Sequence, residues 1–104
     1  MADSELIDPL GRPLILHDRT WYGHIVRGHP DIAGDRMLVE TAVRSPLEIR
    51  HSASDPDCRL YFGTGPRQAV TMMVVADVVQ GVVKTAHLAR RFSGGLVEWS
   101  RPTP

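Results

Sequence analysis

A chain of 104 residues that is 42% hydrophobic, 23% charged and without net charge has room for one modest core. That balance excludes a disordered chain and a polycation that coats nucleic acid over its whole surface. The longest apolar run, residues 72–76, is of strand length and far too short to span a bilayer. The single cysteine, Cys58, excludes an intramolecular disulfide and a multi-cysteine metal site. The neutral total hides an asymmetry. Residues 1–57 hold six arginines against ten acidic residues, net −4, and residues 58–104 hold five arginines and Lys84 against Asp77 and Glu98, net +4. A local phosphate-binding face in the second half is compatible with this pattern.

Residues 1–11 are polar, end in Asp-Pro-Leu-Gly and read as a flexible lead-in with a turn. Residues 12–17, RPLILH, form a short extended run whose proline favours an edge or a strand start. Asp18 or Thr20 can cap a helix over residues 19–27, with Trp21 and Ile25 inward. Gly28 and Pro30 stop it. His24 and Arg27 then share a helix face, and His29 stands where the chain leaves the helix. The apolar stripe of residues 31–44 predicts a second helix starting near Asp35 and halted by Ser45-Pro46. From residue 47 the pattern changes to β-rich runs separated by turn residues, at 47–52, 58–63, 69–79 and 82–89, with a further short strand within 92–99. The expected fold is α+β: an N-terminal helical hairpin packed on a four- to five-stranded antiparallel sheet, one domain over residues 12–99, and a tail at 100–104.

Alternation along the strands sorts their side chains into two faces. Leu47, Ile49, Cys58, Leu60 and Phe62 make one face apolar, and Cys58 reads as core by that parity. The other face pools Glu48, Arg50, Arg59, Tyr61, Thr71, Thr85 and His87, while alternation leaves Lys84 on the apolar side. A carboxylate, arginines, a tyrosine and a histidine on an open sheet suit metal-free RNA cleavage. That reaction needs a base for the 2′-hydroxyl proton, a cation for the pentacoordinate phosphate and an acid for the leaving 5′-oxygen. Glu48 or a histidine can be the base; Arg50, Arg59 or Lys84 the clamp; His24, His29 or His87 the acid; and Tyr61 can stack a base. The plainer account is a solvated polar face with cross-strand ion pairs and helix-capping histidines. His24 and His29 are five apart, not the four of a zinc-binding H-E-x-x-H, so no metal is expected; no phosphate loop or nucleophile elbow is present either.

The run His24-Ile25-Val26-Arg27-Gly28-His29-Pro30-Asp31-Ile32, the segment Tyr61-Phe62-Gly63 and the run Val83-Lys84-Thr85-Ala86-His87-Leu88 together resemble the phage and mobile-element nucleases of the barnase, EndoU, colicin and RelE group, over residues 17–92. The resemblance implies N-terminal helices followed by a four-stranded antiparallel sheet with an open active-site face, and cleavage to a cyclic phosphate without cofactor. It carries catalytic roles to His24, His29 and Thr85, with Tyr61 on the second strand. His87 departs from it, standing where an aromatic is expected. The implied partners are RNA and, for a toxin, a cognate antitoxin or immunity protein. The alternative is an inactive RNA- or protein-binding module of the same fold. Acidic residues where a secretory signal carries bases make the cytoplasm the expected location, with no membrane association.

Overall fold

The computed structural model describes residues 2–103; Met1 and Pro104, the outermost residues of the expected lead-in and tail, lie outside them. Seven strands form one mixed sheet curled into a half-barrel, with two short helices in the middle of the chain. β1 (Ser4–Ile7) and β2 (Pro13–Leu16) form an antiparallel hairpin. Next come α1 (residues 18–28), a 3₁₀ turn at Pro30–Ile32 and α2 (Arg36–Arg44). β3 (Glu48–His51), β4 (Cys58–Thr64), β5 (Thr71–Asp77) and β6 (Val82–Ala89) follow as an antiparallel meander, and β7 (Val97–Ser100) pairs with the free edge of β3. The sheet order is β1-β2-β6-β5-β4-β3-β7.

This corrects the expected fold. The helices are preceded by a strand hairpin, so they are not an N-terminal helical hairpin, and the sheet has seven strands rather than four or five. It is also not purely antiparallel. β2 lies parallel to β6 through Ile15 opposite Val82, and the Ile15 N–H donates to the Gly81 carbonyl. The segment expected to be a flexible lead-in carries β1, where Leu6 is buried between the exposed Glu5 and Ile7. A four-residue strand with one apolar inward position shows almost no periodicity, which is why local pattern missed it.

The core fills the concave face. Trp21 and Ile25 of α1, Ile32, and Val39, Ala42 and Val43 of α2 pack on Leu6, Leu14, Leu16, Ile49, Tyr61, Met72, Val74, Ala76, Val83 and Ala86. α2 can approach β4 closely because Gly63 faces it. A β-carbon there would lie 2.5 Å from Ala42 Cβ and 2.6 Å from Ala42 Cα. Beyond β6 the chain crosses the opposite face to reach the β3 edge. Phe92 stacks on Phe62 at 4.8 Å, and the Gly95 N–H donates to the His51 carbonyl.

The curl brings the first hairpin against the last strand through a cluster of charges. Asp8, in the β1–β2 turn, accepts from the backbone N–H groups of Leu10 and Arg12, from Arg12 Nε at 2.8 Å and from the Tyr61 hydroxyl at 2.6 Å. Arg12 reaches on to Glu98 of β7 at 2.6 Å, and Glu98 also binds Arg59 Nε at 2.9 Å. Glu98 can do this because β7 carries a bulge. Ile49 pairs with Trp99 and Arg50 with Val97, leaving Glu98 as the extra residue. Burial works against the charge on Asp8, but the Tyr61 and Arg12 donors outweigh it and hold the carboxyl below the usual range; Glu98 is held low against its own burial by Arg12 and Arg59. Burial, then the bond to Asp8, pushes the Tyr61 phenol far up.

Gly63→Ala is expected to cost about 1–3 kcal/mol in urea unfolding, since backbone must shift to admit the methyl. Tyr61→Phe, which removes a donor to a buried carboxylate, is expected to cost about 2 kcal/mol. Because Asp8 and Glu98 have depressed native values, their contribution is complete above the ordinary carboxylate range near pH 4 and is lost as pH falls through the lower native values. The urea midpoint should therefore be level from pH 7 to about 5 and fall steeply below about 4. Asp8→Asn should lower the midpoint at pH 7 and flatten that fall.

Candidate functional site

The sheet face opposite α2 carries a cleft of about 300 Å³ lined by His24, Ser52, Ser54, Asp55, Cys58, Val75, Lys84 and Thr85. Register explains the floor. Cys58 and Leu60 of β4, Val75 of β5 and Thr85 of β6 share this face, since Leu60 pairs with Val75 and Val75 with Thr85. Lys84 joins them through a second bulge. Val75 pairs with Thr85 but Ala76 pairs with Val83, so Lys84 is the extra residue on β6. An inserted residue breaks alternation and re-aims its side chain, which turns Lys84 away from the apolar side expected for it.

His24 enters from α1. This helix is α-helical at Asp18–Thr20 and Val26–Gly28 and widens to a π-helical turn at Trp21–Ile25, where the Val26 N–H reaches back five residues to the Trp21 carbonyl. The wide turn keeps Trp21 and Ile25 buried while His24 reaches the cleft. The opposite wall is the β3–β4 loop. The Ser52 hydroxyl accepts the Ser54 and Asp55 N–H groups, and Asp55 accepts the Asp57 N–H at 2.9 Å and the Cys58 thiol at 3.5 Å. The Asp57 bond, helped by the field of Lys84, holds Asp55 below the usual carboxylate range; burial, then Asp55, pushes the Cys58 thiol up. Lys84 itself is exposed and has no ion-pair partner among the described residues.

His29 and His87 meet one step further along the same face, with ring centroids 5.4 Å apart. The His87 Nδ1 donates to the Leu88 carbonyl at 3.0 Å. Arg27 is exposed in the last turn of α1. The remaining expected site residues are placed elsewhere. Glu48 and Arg50 do share the cleft face but bind one another at 2.6 Å and do not line the cleft. Arg59 and Tyr61 point to the concave side, because Ile49 pairs with Tyr61 and His51 with Arg59. Tyr61 is fully buried against Asp8, so it offers no ring for base stacking. Pooling them with Glu48 and Arg50 assumed the opposite β3–β4 register, and a shift of one residue exchanges the faces.

Sequence reading missed Ser52, Ser54 and Asp55, which looked like ordinary turn formers; the run Ser52-Ala53-Ser54-Asp55 signals a loop and nothing of what it faces. A wider groove of about 660 Å³ lies at Asp3, His17, Asp18, Arg19 and Tyr22. Asp3 holds His17 at 3.0 Å and the Asp18 N–H there, and Asp18 holds Arg36, while Arg19 and Tyr22 are exposed without an ion-pair partner among the described residues. The smaller cleft is the one that combines an imidazole, an unpaired ammonium and hydroxyl groups. Among the described residues no group of three or more His, Cys, Asp or Glu is placed to hold a metal ion, and no helix is long and apolar enough to cross a membrane. Comparison with protein-family models, curated proteins and solved structures returns no match.

Cys58, buried and with its thiol pushed up, is expected to react with a maleimide at pH 7 far more slowly in the native protein than in urea, and Asp55→Asn should change the native rate. Equal rates in native and unfolded protein would show that the cleft floor is open.

Proposed function

We propose that the cleft cleaves RNA without a metal, by attack of the 2′-hydroxyl on the adjacent phosphorus. The observation that supports this is the convergence of His24, Lys84 and Thr85 on one cleft from distant parts of the chain. An imidazole is the side chain suited to exchanging protons near neutral pH, an unpaired ammonium neutralises a developing phosphorane, and a hydroxyl donates to a non-bridging oxygen. In this reading His24 takes the 2′-hydroxyl proton and the P–O5′ bond breaks. The departing oxygen gains its proton from the Lys84 ammonium or from solvent, leaving a 2′,3′-cyclic phosphate and a 5′-hydroxyl. Thr85 and Lys84 hold the phosphate, and the His29–His87 pair flanks the reacting nucleotide. Glu48 has no part in it, being tied to Arg50 outside the cleft. The wider reading is a cytoplasmic nuclease of toxin or mobile-element type, related to the barnase, EndoU, colicin and RelE group and held in check by a cognate inhibitor.

One observation favours a second reading, binding without cleavage. The ionised Asp55 already faces Lys84, so a phosphate entering the cleft meets a carboxylate. The reaction decides between them. Purified protein in EDTA is expected to cleave a mixed-sequence RNA, with His24→Ala slower by on the order of a hundredfold or more and Lys84→Ala by a similar factor. Arg44→Ala, on α2 beside Glu40, should match the unaltered protein. No cleavage, or the same rate in every variant, would overturn the nuclease reading.

A further inference from the structure

The described arginines divide into two sets. Arg12, Arg36, Arg44, Arg50 and Arg59 are in ion pairs, and Arg101 donates to the Ser45 carbonyl. Arg19, Arg27, Arg67, Arg90 and Arg91 are exposed and have no carboxylate partner among the described residues. Arg19 stands apart in the first turn of α1, and the other four collect at one end of the sheet. Thr64 pairs with Thr71 and Thr71 with Ala89, so the β4–β5 loop carrying Arg67 and the exit from β6 carrying Arg90 and Arg91 lie side by side. The His29–His87 contact brings the last turn of α1, with Arg27, to β6 just short of that end. The acidic residue nearest to these four along the chain is Asp31, two beyond His29.

The patch is in line with the cleft. Thr85 and His87 are successive residues on one face of β6, about 7 Å apart, and Arg90 lies about 10 Å further on. We propose that this end of the sheet is a track for the backbone of single-stranded RNA, running from the cleft across the His29–His87 pair to Arg90, Arg91 and Arg67. The proposal rests on the nuclease reading for its substrate. A narrow cleft beside half-buried imidazoles fits an unstacked nucleotide better than a duplex, whose bases are already stacked. Guanidinium groups without internal partners are free to grip phosphates two oxygens at a time.

The test is binding of a fluorescent 2′-O-methyl RNA decamer, which lacks the nucleophile, followed by anisotropy across a salt series. Arg90→Ala/Arg91→Ala is expected to weaken binding at least tenfold at low salt and to reduce the slope of log affinity against log salt by about 1.4, at roughly 0.7 per lost phosphate contact on a single strand. Arg44→Ala should leave affinity and slope unchanged. Matching thermal midpoints for the variants would show that folding is intact. Unchanged slope and affinity in the double variant, or equal loss in Arg44→Ala, would overturn the track. Because the decamer cannot be cleaved, decamer binding with the expected loss alongside no RNA cleavage would remove the nuclease reading and leave the track standing, whereas cleavage with an unchanged slope would do the reverse.

Discussion

The Asp8 carboxylate is the constraint on which the curl of this sheet depends. Its side chain is withdrawn from water, which is costly for a charge unless every lone pair is matched, and four donors match it. Two donors come from the turn that Asp8 itself opens, one from Arg12 and one from Tyr61 in the middle of the sheet. The hairpin cannot swing away without stranding the charge. Arg12 extends the same demand to Glu98, so the β1–β2 turn, β4 and β7 are held in one arrangement. Such a cluster specifies geometry more than it adds stability, because much of its Coulomb energy offsets desolvation.

That closure also sorts the two faces by chemistry. The concave side is filled by α2 and sealed at the β1–β2 turn by paired charges. Its polar groups are spent on one another, and among the described residues no buried side-chain nitrogen or oxygen lacks a partner. The opposite side keeps unpaired cations and imidazoles. The groups left free to meet a ligand therefore lie where the structural pairing stops.

Much was legible in the sequence. Trp21 and Ile25 are inward, α2 starts after Asp35, and β3 to β6 form the expected meander, each because a sustained period of 3.6 or 2 reports directly on burial. What was lost lies where a residue is inserted into that period. Lys84 is the extra residue of the β6 bulge and Glu98 that of the β7 bulge. No alternation rule can place a side chain at an insertion, and the partner strand that reveals the insertion is distant in the chain. The faces of Arg59 and Tyr61 were misread for a related reason. Their parity along β4 was right, but β3 sets the face they share, and register between two strands is not a local property.

The single parallel contact between Ile15 and Val82, with Arg12 and Glu98 86 positions apart, has a kinetic meaning. The β1–β2 hairpin has no neighbour in the sheet until β6 exists, and Arg12 has no partner at Glu98 until β7 does. Contacts of such long separation require loop closure before they return any stabilisation, which places folding toward the slow end for a domain of this size. The cleft has the same dependence, since His24 waits for Lys84 and Thr85. A chain still emerging from the ribosome therefore lacks the cleft, and its cation and imidazole come together only once β6 has been made.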